Sequence, residues 1–276
     1  MSSRRRGPLP GFGISLGFTL AYLGALVLLP IAALVLRAAS LTPARFWELV
    51  SAPRALGAFK LSFGAAFVAA TVNLVFGLLV AWVLERYRFP GKRLIDGLVD
   101  LPFALPTAVA GIALTALYDE RGWIGSLVAP LGVKVAYTPL GVTVALVFIG
   151  LPFVVRTVQP VLRDLDAAIE EAAASLGATR AQAIRRVLLP ELAPAAATGF
   201  VLALARGLGE YGSVIFIAGN LPGITEITPL LIMIRLEEYD VAGATAIAAT
   251  FLAASLALLF LVNVLSWRRG RRTATA

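Results

Sequence analysis

Six apolar stretches, at 14–36, 61–84, 97–118, 138–155, 195–219 and 242–266, govern what this chain can become. Each runs for about 18–25 residues, the length an α-helix needs to cross a hydrocarbon core of about 30 Å. In lipid the backbone must satisfy its own N–H and C=O groups, which leaves only helices or closed barrels. The short alternating segments of a barrel are absent. The chain therefore reads as all-α, a polytopic membrane protein with six transmembrane helices. Only 14% of its 276 residues are charged and the mean hydropathy is +0.87, too apolar for the surface of a soluble domain of this size. Arg4, Arg5 and Arg6 precede the first stretch as they would a secretory signal. That run is too long for a signal core and no clean small-x-small site follows, so it is expected to stay as an uncleaved span.

What the chain lacks is equally restrictive. It has no cysteine and no histidine, which removes thiol chemistry, the commonest metal ligand and the commonest general base. An intramembrane zinc protease or a Ser–His protease cannot be built from it. It also lacks the G-x-x-x-x-G-K-[ST] run that cradles nucleotide phosphates. No catalytic residue, metal ligand or cofactor is assigned, and any nucleotide energy must come from a partner.

The net charge of +8 is a topology signal. With six spans both termini share one side, which collects Arg4–Arg6, Arg86, Arg88, Lys92, Arg93, Arg156, Arg163, Arg180, Arg185, Arg186, Arg268, Arg269, Arg271 and Arg272. The other side holds Arg37, Arg45, Arg54, Lys60, Arg121, Lys134 and Arg235. This bias places both termini in the cytoplasm and leaves nothing over for nucleic acid. The expected organisation is a cytoplasmic tail at 1–13, a six-helix transmembrane domain at 14–266 and a cytoplasmic basic tail at 267–276.

Between spans four and five lies the longest cytoplasmic loop, 160–194. Leu162, Leu165, Ile169, Ala172 and Leu176 form one apolar helical stripe. Asp164 and Asp166 near its start suit the positive end of the helix, and Gly177 follows the last apolar residue, where a left-handed cap wants glycine. A second helix, 179–188, is expected to halt at Pro190. The first helix is alanine-rich with an acidic polar side, including Glu170 and Glu171. Anionic headgroups would repel that side, whereas a protein groove would accept so slim a helix.

Glu171-Ala172-Ala173, then Gly177, then Val187-Leu188-Leu189-Pro190 resembles the "EAA" motif of ABC importer permeases, with Val187 where Ile is commoner. The resemblance implies coupling helices that dock on a separate ATPase. It extends over nearly the whole chain: "RFPGKRLIDGLVDLPFALPTAVAGIAL" (88–114), "YTPLGVTVALVFIGLPFVVRTVQPVL" (137–162), "GEYGSVIFIAGN" (209–220) and "LEEYDVAGATAIA" (236–248) look like the T-type permease of sulfate/thiosulfate importers. Molybdate importer permeases are similar but tend to read G-E-F-G-A at 209–213. The resemblance implies a type I ABC importer permease (MetI-like) fold and a complex. Its members would be this chain, a homologous second permease subunit, two ABC ATPase subunits that bind ATP and Mg, and a periplasmic or extracytoplasmic sulfate-binding protein.

Inside the membrane, Pro102 and Pro106 should interrupt the third span, either as a packing kink or along a transport path. Asp100 lies close enough to the cytoplasmic end to reach the interface. Arg206 and Glu210, four residues apart near the middle of the fifth stretch, should share one helical face. A lone charge there costs about 2.5–3.5 kcal/mol, so the two must be paired or wetted. Either they lock the span as a structural ion pair, or Arg206 lends positive potential to an anion path. Tyr211, Ser213 and Asn220 are candidate neutral donors. Gly207, Gly209 and Gly212 suit close helix packing, and the acidic residues Glu237, Glu238 and Asp240 suit a solvated loop or a docking surface. An ion-coupled transporter would need several intramembrane acids, and a membrane enzyme a polar cluster at one interface; neither pattern is evident.

Overall fold

The computed structural model describes residues 12–273, apart from the side chains of 167, 170 and 265–273. The cluster Arg4–Arg6 and most of the expected 1–13 tail lie outside the described residues, as do the side chains of the 268–272 arginines. The described chain is helical, with no strand. In order its helices are α1 (Phe12–Ala39), α2 (Pro43–Val50), α3 (Pro53–Arg86), α4 (Lys92–Val99), α5 (Leu101–Ala104), α6 (Thr107–Tyr118), α7 (Gly125–Val128), α8 (Pro139–Asp164), α9 (Ala167–Ser175), α10 (Arg180–Leu208), α11 (Val214–Ile217), α12 (Thr228–Glu237) and α13 (Val241–Thr273).

Among the described residues, α1, α3, α8, α10 and the Val241–Val264 part of α13 are long and apolar enough to span a bilayer. The third expected span is not one helix but the broken series α4–α5–α6. Leu105 is extended (φ −85°, ψ 135°) because the ring of Pro106 disfavours the helical conformation in the residue before it. The fifth stretch also departs from expectation. Its helix ends at Leu208, eleven residues short of the expected 219, and begins far earlier, at Arg180. Pro190 does not halt it. One π turn, Ile184–Leu188, precedes the proline, and Leu189 N–H reaches back to the Ile184 carbonyl. The proline then sits in the first turn of the following α segment, where its missing N–H costs little.

The core is the triangle of α3, α8 and α10. Lipid tails are as apolar as leucine, so helices in a membrane gain by close approach rather than by escaping water. The inward face of α3 is accordingly small: Ala58, Ala65, Ala66, Ala69, Ala70, Gly77 and Ala81. A Cβ at Gly77 would stand 2.7 Å from the Val154 side chain on α8, and one at Gly199 on α10 would stand 2.8 Å from the Val154 Cα. Val154 thus lies clasped between two glycines. The ring of Phe251 on α13 packs 5.2 Å from Phe63 and 6.3 Å from Phe59. Helix α1 buries none of its residues and presents apolar surface all round.

Candidate functional site: coupling turn and midplane break

The 160–194 loop folds as two helices about a glycine turn. Helix α8 runs on to Asp164, so Leu162 and Leu165 of the expected stripe belong to the end of the preceding span, where Leu162 is buried in the core. Asp164 is therefore the last residue of α8, not part of the start of α9. Asp166 does start α9, its Oδ1 accepting from Ala168 N–H at 3.0 Å. Helix α9 carries Glu171, Ala172 and Ala173 and closes at Gly177, whose φ of +82° is the left-handed cap the sequence called for. Gly177 N–H bonds the Ala174 carbonyl at 2.9 Å and Ala178 N–H the Ala173 carbonyl at 3.0 Å, a Schellman pair. Leu176 stands 89% exposed at the tip.

Thr179 opens α10 with a capping box. Its hydroxyl accepts from Gln182 N–H, while its own N–H donates to Gln182 Oε1 at 2.8 Å. The T-x-x-Q spacing is the sequence signature of this cap. Arg180 donates to the Tyr87 hydroxyl at 3.2 Å, and Arg163 pairs with Glu85 at 3.0 Å, tying the turn and the end of α8 to the end of α3. Leu189 is exposed and Pro190 half-buried, both on α10 rather than at a helix end.

The second feature lies at membrane depth. Gly207 faces Ala66, near the middle of α3. Just beyond it α10 stops, and residues 209–213 form a turn before α11. Arg206 and Glu210 do meet, Nη1 to Oε2 at 2.6 Å, but across the end of a helix rather than along one face. The Glu210 side chain is only 2% exposed. Its other oxygen accepts from Ser213 N–H at 2.8 Å and Ser213 Oγ at 3.0 Å, so the carboxylate holds the turn as well as the arginine. Tyr211 packs against the core, and the Asn220 amide donates to the Ile215 carbonyl at 2.9 Å.

This turn lies against the other break. A Cβ on Gly212 would collide with the Thr107 hydroxyl, and one on Gly111 with the backbone of Ser213. The interruption made by Pro102 and Pro106 and the interruption at 209–213 are thus apposed, the start of α6 against the turn after α10. Packing is the role the structure gives Gly207 and Gly212. Irregular backbone at this depth is stable only where protein or a water-filled cavity covers it.

Two ionic groups escaped the sequence reading. Arg156 on α8 donates through Nε and Nη2 to both oxygens of Asp100 (2.7 and 2.6 Å), through Nη1 to Asp96 (2.6 Å) and Gln159, and through Nη2 to the Asp96 carbonyl (2.7 Å). It rivets α4 and the start of α5 to α8 and holds the Asp96 carboxyl below the ordinary carboxylate value. On the opposite side Arg54 clasps the buried Glu226 through both oxygens. Part of the acidic 237–240 stretch is also used locally. Arg235 lies 3.5 Å from Glu238 and 3.3 Å from Asp240, and Asp240 accepts from Gly243 N–H at the start of α13.

Residues 73–271 match the family described as "binding-protein-dependent transport system inner membrane component". The chain is 53% identical over 272 residues to the sulfate transport system permease protein CysT of Salmonella typhimurium, covering 99% of this chain and 98% of that protein. It is 51% identical to the protein of the same name from Synechococcus elongatus, over 90% of this chain and 89% of that one. In architecture it is similar to a bacterial ABC transporter that imports the acidic polysaccharide alginate, with TM-score 0.74, 17% identity, and 93% and 94% of the two chains covered. The MetNI methionine ABC transporter is also similar, with TM-score 0.57, 21% identity, and 84% and 99% covered. Spanning helices, a glycine-capped helix pair beside them and full-length kinship agree, and this multi-pass inner-membrane chain belongs to the binding-protein-dependent transport system inner membrane components.

Proposed function

We propose that this chain is the permease subunit of an ATP-driven sulfate/thiosulfate importer and forms half of its translocation pathway. The carrying observation is the helix–Gly177–helix unit whose second helix is α10 itself. An exposed docking tip at Leu176 leads through the short Gly177 turn into α10, which runs unbroken to the interruption beside Arg206 and Glu210. A motor that moves the tip therefore moves the irregular segment at membrane depth. Sulfate as cargo is supported by the names of the full-length relatives, and the anion would be delivered by a binding protein on the outer side.

In this reading Glu171, Ala172, Ala173, Gly177, Leu189 and Pro190 make or support the ATPase contact. The apposed breaks at Pro102, Pro106 and 209–213 lie beside the passage, where discontinuous helices commonly gather in transporters. Arg206 is one-third exposed and adds positive potential there, with Glu210, Tyr211 and Ser213 fixing it in place. ATP and Mg reside on two partner ATPases, a second permease completes the pathway, and both termini face the cytoplasm, with 14–266 as the permease domain between basic tails.

The test is uptake of radiolabelled sulfate by the reconstituted complex, with thiosulfate and molybdate as competitors. ATP-dependent uptake competed by thiosulfate supports the reading. Competition by molybdate alone would transfer the chain to molybdate/tungstate import. Accumulation by this chain without any ATPase would make it an ion-coupled transporter instead.

A further inference from the structure

Helix α3 carries no charged residue between Arg54 and Glu85 except Lys60. Lys60 lies six residues outward of Ala66, which faces Gly207 near the middle of the bundle. That separation is about 9 Å along the helix, and Lys60 immediately precedes the apolar stretch 61–84, at the outward boundary of the hydrocarbon layer. It is exposed and has no hydrogen-bond or ion-pair partner among the described residues. A lysine at that boundary keeps its ammonium in water or against an anion.

An open groove lies beside it. Gly57, Lys60 and Gly64, with Leu61, Ala65 and Val68, form one wall, Pro139 and Thr143 of α8 another, and Gly223 and Ile224 the end; the open cavity is about 400 Å³. A Cβ on Gly64 would meet nothing within 4 Å, so this wall is low by composition. Lys60, Gly64 and Thr71 follow one another along the exposed side of α3 at four- and seven-residue steps. Glu226, two residues beyond the cavity-lining Ile224, is already held by Arg54 and does not neutralise Lys60. The Thr143 hydroxyl donates to the Pro139 carbonyl at 3.0 Å, leaving Lys60 as the charged group of the cavity.

We propose that Lys60 and this cavity form a transient oxyanion site at the outward entrance of the pathway, where Lys60 draws a tetrahedral anion off its carrier and into the membrane. The proposal rests on the importer reading above. One unpaired ammonium suits a transit site, because binding must favour entry yet stay weak enough for the ion to leave.

The test uses the full complex in proteoliposomes with saturating sulfate-loaded binding protein. Lys60→Gln should lower sulfate uptake about tenfold, the lower range for charge-focused capture. ATP hydrolysis stimulated by the binding protein should persist, so that transport per ATP falls. Lys60→Arg, which keeps the charge, should restore most of the uptake. Unchanged uptake in Lys60→Gln overturns the proposal, as does a loss that Lys60→Arg fails to rescue, since packing would then be the cause. If the unaltered complex moves no sulfate with ATP, the importer reading itself fails, an outcome distinct from a silent Lys60 variant.

Discussion

Arg54 and Glu226 are 172 residues apart in sequence, yet they form a two-pronged ion pair, Nε to Oε2 at 2.8 Å and Nη2 to Oε1 at 2.7 Å. The Glu226 side chain is fully buried and the guanidinium one-third exposed. The pair fixes the first turn of α3 to the segment that leads into α12.

Replacing Arg54 by alanine strands a carboxylate in the protein. The cost should be about 3 kcal/mol, the lower end for breaking a buried pair because the arginine side remains partly solvated. Thermal unfolding of the detergent-solubilised chain would show it as a lowered midpoint. Arg54→Lys should recover only part, since lysine keeps the charge and loses the fork.

Gly177 offers a graded test of the coupling turn. At φ +82° a β-branched residue is strained and asparagine is tolerated. Gly177→Val should abolish co-purification of the ATPase while membrane insertion continues, with Gly177→Asn intermediate. Full ATPase recovery with the valine variant would count against this placement of the docking surface.

Arg206→Gln should destabilise the chain by about 3 kcal/mol by leaving Glu210 buried and unpaired. Adding Glu210→Gln should recover much of that loss, since the amide oxygen can still accept from Ser213. A double-mutant cycle on unfolding midpoints measures the coupling. Transport by the double variant then separates the two roles of Arg206. A stable complex with normal uptake makes the pair structural, and a stable complex with slow uptake places Arg206 on the path.

The Arg156 clamp has a stated pH window. Arg156 lowers the Asp96 pKa below its ordinary 3.8. A depressed carboxylate contributes stability above its unfolded pKa and loses it as pH falls through the folded value. Protease resistance of the 87–100 segment should therefore be flat between about pH 5 and 8. Arg156→Ala should make the segment cleavable throughout that range.

The spans were legible because lipid demands long apolar runs, and the break at Leu105 because proline acts on the residue before it. The break at 209–213 carried a signal too, in Gly207, Gly209 and Gly212, but glycines mark close packing as often as an end, and here they do both. Pro190 misled for a physical reason. A single π turn absorbs the proline's missing donor, and no residue pattern announces that turn. Arg54–Glu226 and Arg156–Asp96 were illegible because their partners are joined by tertiary packing, not by spacing along one helix. Asp100 was noticed, but its arginine, 56 residues away, could be found only in three dimensions.

The 29 residues of α10 make a rod of about 43 Å. Pro190 and Pro194 each omit one backbone donor, yet the helix is continuous from Arg180 through the π turn to Leu208, so one rod joins the end of the glycine turn to the start of the break that holds the buried glutamate. Tilting one end by a small angle must displace the other sideways at once. A motor outside the bilayer can thus be felt halfway across it, with no signal having to pass from one side chain to the next.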